Sequence, residues 1–369
     1  MAIETIISGD SHVIEPFDLW KDALGKKYGE KTPQMVKDYA GTKGDFFFSG
    51  IEFINAEEIV EGSTPEMKEK LTQAGQDPAM RLQCMDEDGV WAEVCNSTFM
   101  LYSMRADNPE LVRDCCTVYN RWIGDYISEN PKRLIGSAMI AMEDVNWAVK
   151  ELEWSAKNHL RAVVIYADTK PGMLPYRDPI YDPFWAAAEE HDMPITLHII
   201  TGQARDPFTL HGAKERGDVA RCNLGVLGEA GPVLANEFIF GGILDRFPKL
   251  KVVLSEYEVS WLPYWFYRVK QTQDDFGPAL DIPEIEKPAE EYLNQIYHGL
   301  IDDPYLDKVL DVIDPKTIMW GSDFPHARCT YPNTPKVVER VLGHLDEETL
   351  KDIGGRNAAR FYNIDLPSL

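Results

Sequence analysis

Four short apolar runs each end in a residue type that binds metals. IISGDSH carries Asp10 and ends at His12, PITLH ends at His198, KVVLSE ends at Glu256 and IMWGSD ends at Asp323. Asp10 and His12 are two apart, so on an extended strand both side chains leave the same side, and a carboxylate with an imidazole can hold one divalent ion. His198 follows Ile195, Thr196 and Leu197, a context that equally suits a satisfied core histidine. Asp323 lies in WGSDFPH, where a carboxylate after a Gly-Ser step can orient a backbone turn. It can also bind metal and take the proton of a bound water, whose pKa a metal lowers from 15.7 to about 7.

Around these four stand further candidates. Glu256 can complete a metal shell, act as a general acid or base if burial raises its pKa, or orient a substrate group; the bland alternative is a salt bridge under a rim. Tyr257 and Trp261 follow it and are expected to line or support the same pocket. His298 ends the run NQIYHGL and is a candidate for substrate binding or proton shuttling, against an ordinary structural histidine. His326, three residues after Asp323, reads as a substrate-binding or supporting residue or as an exposed loop histidine. Arg105 is a candidate carboxylate anchor because guanidinium recognises carboxylates bidentately. His211 lies in a polar loop that can close over substrate.

Residues this far apart in sequence share a pocket only if their elements converge at one end. Eight runs rich in Val and Ile alternate with longer amphipathic stretches: 5–11, 90–97, 134–141, 161–167, 194–200, 251–256, 294–300 and 317–323. Eight parallel strands close a (β/α)8 TIM barrel, and the ends of those strands build its active-site face. Helix starts support the period: Asp182-Pro183 before FWAAAEEH reads as a side-chain cap followed by proline at the first helical position. Residues 17–83 are too many for one crossover and read as an insertion that caps the mouth, within a single barrel domain spanning 1–369. A second long excursion, Thr201 to about Pro232, follows the fifth strand.

Composition narrows the function classes. The chain has 369 residues and a net charge of −24, from 61 acidic against 37 basic residues, which repels nucleic acids and anionic membranes. Six cysteines without C-x-x-C spacing argue against a disulfide framework or a structural zinc site. No apolar run approaches the roughly 18 residues of a membrane span, and MAIETIISGD lacks the pattern of a signal peptide, so a soluble cytoplasmic protein is expected. There is no G-x-S-x-G elbow and no phosphate-cradling loop, and the glycines of NLGVLGEAG do not fit a dinucleotide fingerprint.

GDSHVIEP, ITLH, ILDRFPKLKVVLSEYEVSWLPYWFYR (243–268), WGSDFPH and IGGRNAARFYNI occur in order from the first strand to the C-terminus. Together they resemble the amidohydrolase-related family that includes aminocarboxymuconate-semialdehyde decarboxylase. That resemblance implies a (β/α)8 barrel with one divalent metal, often zinc or manganese, and a reaction that is non-oxidative decarboxylation, lactone hydrolysis or C–C hydrolysis. It makes Asp10 and His12 the strand-one ligands, His198 the strand-five ligand and Asp323 the strand-eight ligand or base. Two departures stand out. Asp-x-His replaces the frequent His-x-His or Glu-x-His and shifts preference toward harder ions such as manganese. Glu256 occupies the end of strand six, where the family's decarboxylases carry a catalytic histidine.

The leading expectation is therefore a hydrolase with one divalent ion, Zn or Mn and alternatively Fe, held by Asp10, His12, His198 and Asp323. Metal-activated water would attack a small cyclic or aromatic substrate, with Glu256 or His298 handling the leaving group. The alternative is a metal-dependent decarboxylase of an aromatic or unsaturated carboxylate. A third reading is a ligand-binding barrel without turnover, which a damaged ligand set would signal. A homodimer is implied only by analogy with that family.

Overall fold

The computed structural model describes residues 5–60, 64–201, 230–276 and 285–367. Its eleven strands are β1 (Ile6–His12), β2 (Gln34–Tyr39), β3 (Thr42–Phe48), β4 (Phe53–Asn55), β5 (Val90–Asn96), β6 (Leu134–Met139), β7 (Ala162–Ile165), β8 (Ile195–His198), β9 (Val252–Ser255), β10 (Ile296–Leu300) and β11 (Ile318–Trp320). The eight expected runs all form strands, and they make one sheet in the order β1-β5-β6-β7-β8-β9-β10-β11. Every neighbouring pair in it is parallel. The seam between β11 and β1 is drawn shut by single bonds: the Ser322 and Asp323 amides donate to the Asp10 carbonyl at 3.1 Å each, and the His12 amide donates to that of Phe324 at 2.5 Å. The fold is the (β/α)8 barrel.

Alternation along the strands sorts the side chains. Ile7, Ala92, Val94, Ile135, Ala162, Val253 and Met319 form a compact apolar cluster inside the barrel, and Ala358, Phe361 and Tyr362 of the C-terminal segment pack against it. Gly355 lies against the Thr5 carbonyl and the Ile7 amide, so this C-terminal segment closes the end where β1 starts. The floor is thereby sealed with apolar atoms, and polar groups gather at the opposite, C-terminal ends of the strands.

Between β1 and β5 the described residues build a helix (Leu19–Tyr28), the antiparallel sheet β2-β3-β4, a single helical turn (Ala56–Ile59) and the helices Pro65–Gln76 and Pro78–Asp88. Asp77 caps the last of these by accepting from the Ala79 amide at 2.8 Å, with Pro78 at the start of the helix. This excursion packs on loops at the mouth: Phe47 meets Phe99 at 4.4 Å between ring centroids, and the Ala327 amide donates to the Ile59 carbonyl at 3.0 Å. The expected boundary at residue 83 falls inside Pro78–Asp88, a continuous helix that serves both the excursion and the barrel. Of the second excursion, residues 202–229 lie outside the described residues, His211 among them.

One expected cap is different. Asp182 is not a cap but the first residue of the helix Asp182–Glu190, which has no side-chain cap. Its carboxylate instead accepts from Arg246 Nε at 3.1 Å and Nη2 at 3.0 Å, so an ion pair has taken the oxygen that capping would have used. Among the described residues no helix is long and apolar enough to cross a membrane.

Candidate metal centre

His12 is the last residue of β1, and its Nδ1 lies 2.8 Å from the Ser97 carbonyl oxygen. A carbonyl only accepts, so Nδ1 carries the hydrogen and Nε2 is left with a lone pair. The same holds at the end of β8, where His198 Nδ1 donates to the Ile199 carbonyl at 2.9 Å. Both rings are fully buried. The backbone thus sets which nitrogen of each imidazole turns inward: in the neutral form Nε2 offers its lone pair there, the arrangement that metal-binding histidines show.

The two nitrogens face carboxylates. Glu256 Oε1 lies 2.7 Å from His12 Nε2 and 3.3 Å from His198 Nε2, and Asp10 Oδ1 lies 3.7 and 3.8 Å from the same two atoms. Asp323 Oδ1 is 3.6 Å from His12 Nε2. Asn96 Nδ2 donates to Asp10 Oδ1 at 2.7 Å and holds that carboxylate in place, while Asp10 Oδ2, His198 Nε2 and Asp323 Oδ1 have no hydrogen-bond partner. Buried polar atoms seldom stay unpaired, and acceptors crowded together need a positive charge between them. The donor set of carboxylate oxygens and imidazole nitrogens fits a borderline or hard divalent cation.

Electrostatics say the same. Burial pushes the Asp10 carboxyl up, and Asp323 is driven well above the usual range by burial and by the charge of Glu256. Burial also opposes ionisation of Glu256, but the two imidazoles hold it well below the ordinary carboxylate range. His198 rises to about 9: burial works against its charge, and Glu256 and Asp10 outweigh burial. The cluster attracts cations.

The ligand atoms fall into two overlapping groups, Asp10 with His12, His198 and Glu256, and His12 with Glu256, Asp323 and His326. His12 and Glu256 belong to both, at the centre of the cluster. Its backbone adopts a φ of 65°, and Asp323 one of 54°, both in the left-handed region that non-glycine residues avoid. Such backbone gathers at functional sites, where surrounding contacts hold it.

His326 joins the cluster. Its ring stacks on His12 at 4.0 Å between centroids, its Nδ1 is 2.7 Å from Asp323 Oδ1, and its Nε2 is 2.9 Å from the Thr98 hydroxyl. Arg105 stands off: its Nη1 donates to Glu52 Oε1 at 2.9 Å, pairing the loop after β5 with the excursion. Tyr257 is buried beside the cluster. Trp261 donates its indole N–H to the Tyr257 and Glu258 carbonyls at 3.1 Å each, so it braces the backbone after β9.

His298 is not brought to the cluster. In β10 it pairs with Leu254 and Ile318, whereas Tyr297 pairs with inward-facing Val253 and Gly299 with inward-facing Met319. Partnered residues in parallel strands share a face, so His298 points outward into the surrounding apolar layer. Burial alone lowers it to about 3, with no contribution from the carboxylates of the centre, and both ring nitrogens are unpartnered.

Several residues that position the site escaped the sequence reading. Glu15, in GDSHVIEP, is buried and accepts from the amides of Thr98 (3.3 Å), Phe99 (3.0 Å) and Met100 (3.1 Å) and from the Ser97 hydroxyl. It fixes the loop that offers the Ser97 carbonyl to His12 and the Thr98 hydroxyl to His326. Tyr102 follows in the short helix Phe99–Ser103; burial and the carboxylates of Glu52 and Glu256 push its phenol up, so it feels both the Arg105–Glu52 pair and the candidate metal centre. Only the quoted motif around Glu15 offered a signal for these residues.

Comparison with known proteins agrees with this architecture. The chain is 23% identical over 300 residues to 2-amino-3-carboxymuconate-6-semialdehyde decarboxylase of Dictyostelium discoideum, covering 78% of this chain and 77% of that one. Among solved structures, an amidohydrolase from Mycobacterium avium subsp. paratuberculosis superposes with a TM-score of 0.78 at 20% identity, covering 98% of this chain and 100% of that one. A 5-carboxyvanillate decarboxylase from Novosphingobium aromaticivorans, complexed with manganese and 4-hydroxy-3-methoxy-5-nitrobenzoic acid, superposes with a TM-score of 0.70 at 17% identity, covering 97% and 96%. The family model described as Amidohydrolase matches residues 72–364, most of the chain, and the chain belongs to the amidohydrolase family.

Proposed function

We propose that the protein is a metal-dependent carboxy-lyase that releases carbon dioxide from an aromatic or unsaturated carboxylate. The observation that carries the reading is the crowding of carboxylates and imidazoles at the mouth: Glu256 Oε1 lies 2.7 and 3.3 Å from the His12 and His198 Nε2 atoms, Asp323 Oδ1 lies 3.6 Å from that of His12, and Asp10 Oδ2 and His198 Nε2 have no hydrogen-bond partner. Hydrolysis, the leading expectation from sequence, has no support among the relatives named above whose names state a reaction, since both are decarboxylases. Decarboxylation, the alternative, therefore takes its place. The intact ligand set disfavours a silent binding barrel.

Asp10, His12, His198 and Asp323 would hold one divalent ion, manganese or zinc; Glu256, which groups with the first three on one side and with His12 and Asp323 on the other, would complete or screen the shell. When bound, the cation supplies Lewis acidity to the oxygens of a substrate. Loss of carbon dioxide leaves an electron pair on the carbon that bore the carboxylate, and a proton must be delivered there. His326, its ring held between Asp323 and the Thr98 hydroxyl, would be the donor. It would do the work that the family's decarboxylases assign to a strand-six histidine, a position held here by Glu256. Arg105, paired with Glu52, and Tyr102 would meet a further polar group of the substrate, and the 17–83 excursion would act as the cap of the mouth.

A panel of hydroxybenzoates and unsaturated dicarboxylates, run beside lactones and esters with the metal-loaded protein, tests the reading. Carbon dioxide release with the matching decarboxylated product is expected. Turnover confined to lactones or esters would return the assignment to hydrolysis.

A further inference from the structure

Beneath the metal centre lies a cation that the chemistry above does not use. Arg81, on the helix Pro78–Asp88, is fully buried. Its Nε donates to Glu93 Oε2 at 2.5 Å, its Nη1 to the His12 carbonyl at 2.5 Å and its Nη2 to the Ser11 hydroxyl at 2.7 Å. The flat face of the guanidinium rests on the ring of Phe324, 4.4 Å from its centroid. Phe324 is the neighbour of Asp323, and its own carbonyl receives the His12 amide. The other oxygen of Glu93 accepts from the Ser322 hydroxyl at 3.4 Å.

One side chain therefore touches the end of β1, which bears Asp10 and His12, and the turn after β11, which bears Asp323. A buried ion pair is weak evidence of a contribution to stability, because desolvation offsets most of its attraction. A rigid fork that fixes three acceptors at once is good evidence of geometric control. From these contacts we infer that Arg81 is a positioning residue for metal binding: with Glu93 and Phe324 it sets the spacing between His12 and Asp323, and thereby the affinity of the centre. The inference rests on the metal-centre reading above and adds to it a residue that touches neither metal nor substrate.

The test is metal affinity rather than turnover. Wild type, Arg81→Met, Arg81→Lys and Phe324→Leu are stripped of metal and titrated with Mn²⁺ and with Zn²⁺ against a chromophoric chelator, while circular dichroism and melting of the metal-free proteins report folding. Supporting side chains of this kind change metal affinity by about 10- to 100-fold, and a loss of that size is expected in Arg81→Met. Arg81→Lys keeps the charge without the fork and is expected to rescue little. Phe324→Leu leaves the ion pair intact and is expected to weaken binding by several-fold; it decides the matter if Arg81→Met does not fold. Folded variants that bind as tightly as wild type, differing only in melting temperature, would overturn the inference and leave the metal centre standing. A wild type that takes up neither ion would overturn the metal-centre reading, and this inference with it.

Discussion

Glu256 Oε1 lies 2.7 Å from His12 Nε2, so the residue that follows the sixth barrel strand touches the last residue of the first across the mouth of the barrel. Because Nδ1 of His12 donates to the Ser97 carbonyl, a neutral His12 meets Glu256 with a lone pair, and a shared cation, a metal ion or a proton, is what makes the approach favourable.

Replacing Glu256 by Gln removes one negative charge from the centre while keeping its size. Divalent-ion affinity should fall by about 10- to 100-fold, the range seen when groups around a metal are neutralised. The Zn²⁺ and Mn²⁺ titrations described for Arg81 measure it, and unchanged affinity in a folded variant would remove Glu256 from the shell.

Gly321 makes the seam between β11 and β1 possible. A Cβ there would stand 2.8 Å from Asp10 Cβ, closer than real side chains approach, and a tight 3.1 Å from its carbonyl oxygen. Gly321→Ala should therefore cost about 1–3 kcal/mol, as overpacking does. It should also weaken metal binding, because the displaced residue is Asp10. Chemical denaturation read beside metal titration separates the two effects.

His298 gives a pH dependence with a definite sign. Burial lowers its folded pKa to about 3 from an ordinary 6.5, so the unfolded chain takes up this proton first. Its contribution is constant above about pH 6.5. As pH falls from there toward 3 the folded state is penalised by up to about 1.4 kcal/mol per unit. His298→Leu removes the titrating group and two unpartnered nitrogens, and its stability should decline less steeply between pH 6 and 4 than that of wild type. Parallel profiles for the two proteins would show that this histidine does not titrate on unfolding.

The same residue shows where reading from sequence stops. Val- and Ile-rich runs located all eight barrel strands, and metal-binding residue types at their ends marked Asp10, His12, His198, Glu256 and Asp323, because period and residue type are local properties. The face that a strand residue takes depends on register, and in β10 a shift of one position sends His298 outward while Gly299 faces in. Arg81 and Glu15 were out of reach for another reason: their partners, His12, Glu93, Ser97 and Phe99, come from elements that only the folded barrel brings together. Asp182 likewise looked like a cap until the fold supplied Arg246.

The most direct test of the account is elemental analysis of protein purified without chelator or affinity metal, beside His198→Ala. The unpartnered His198 Nε2 and Asp10 Oδ2, facing Glu256 and Asp323, predict about one equivalent of manganese, zinc or iron in wild type and little in the variant. Wild-type protein that carries no metal and takes none up on titration would contradict the metal centre and the decarboxylation built on it.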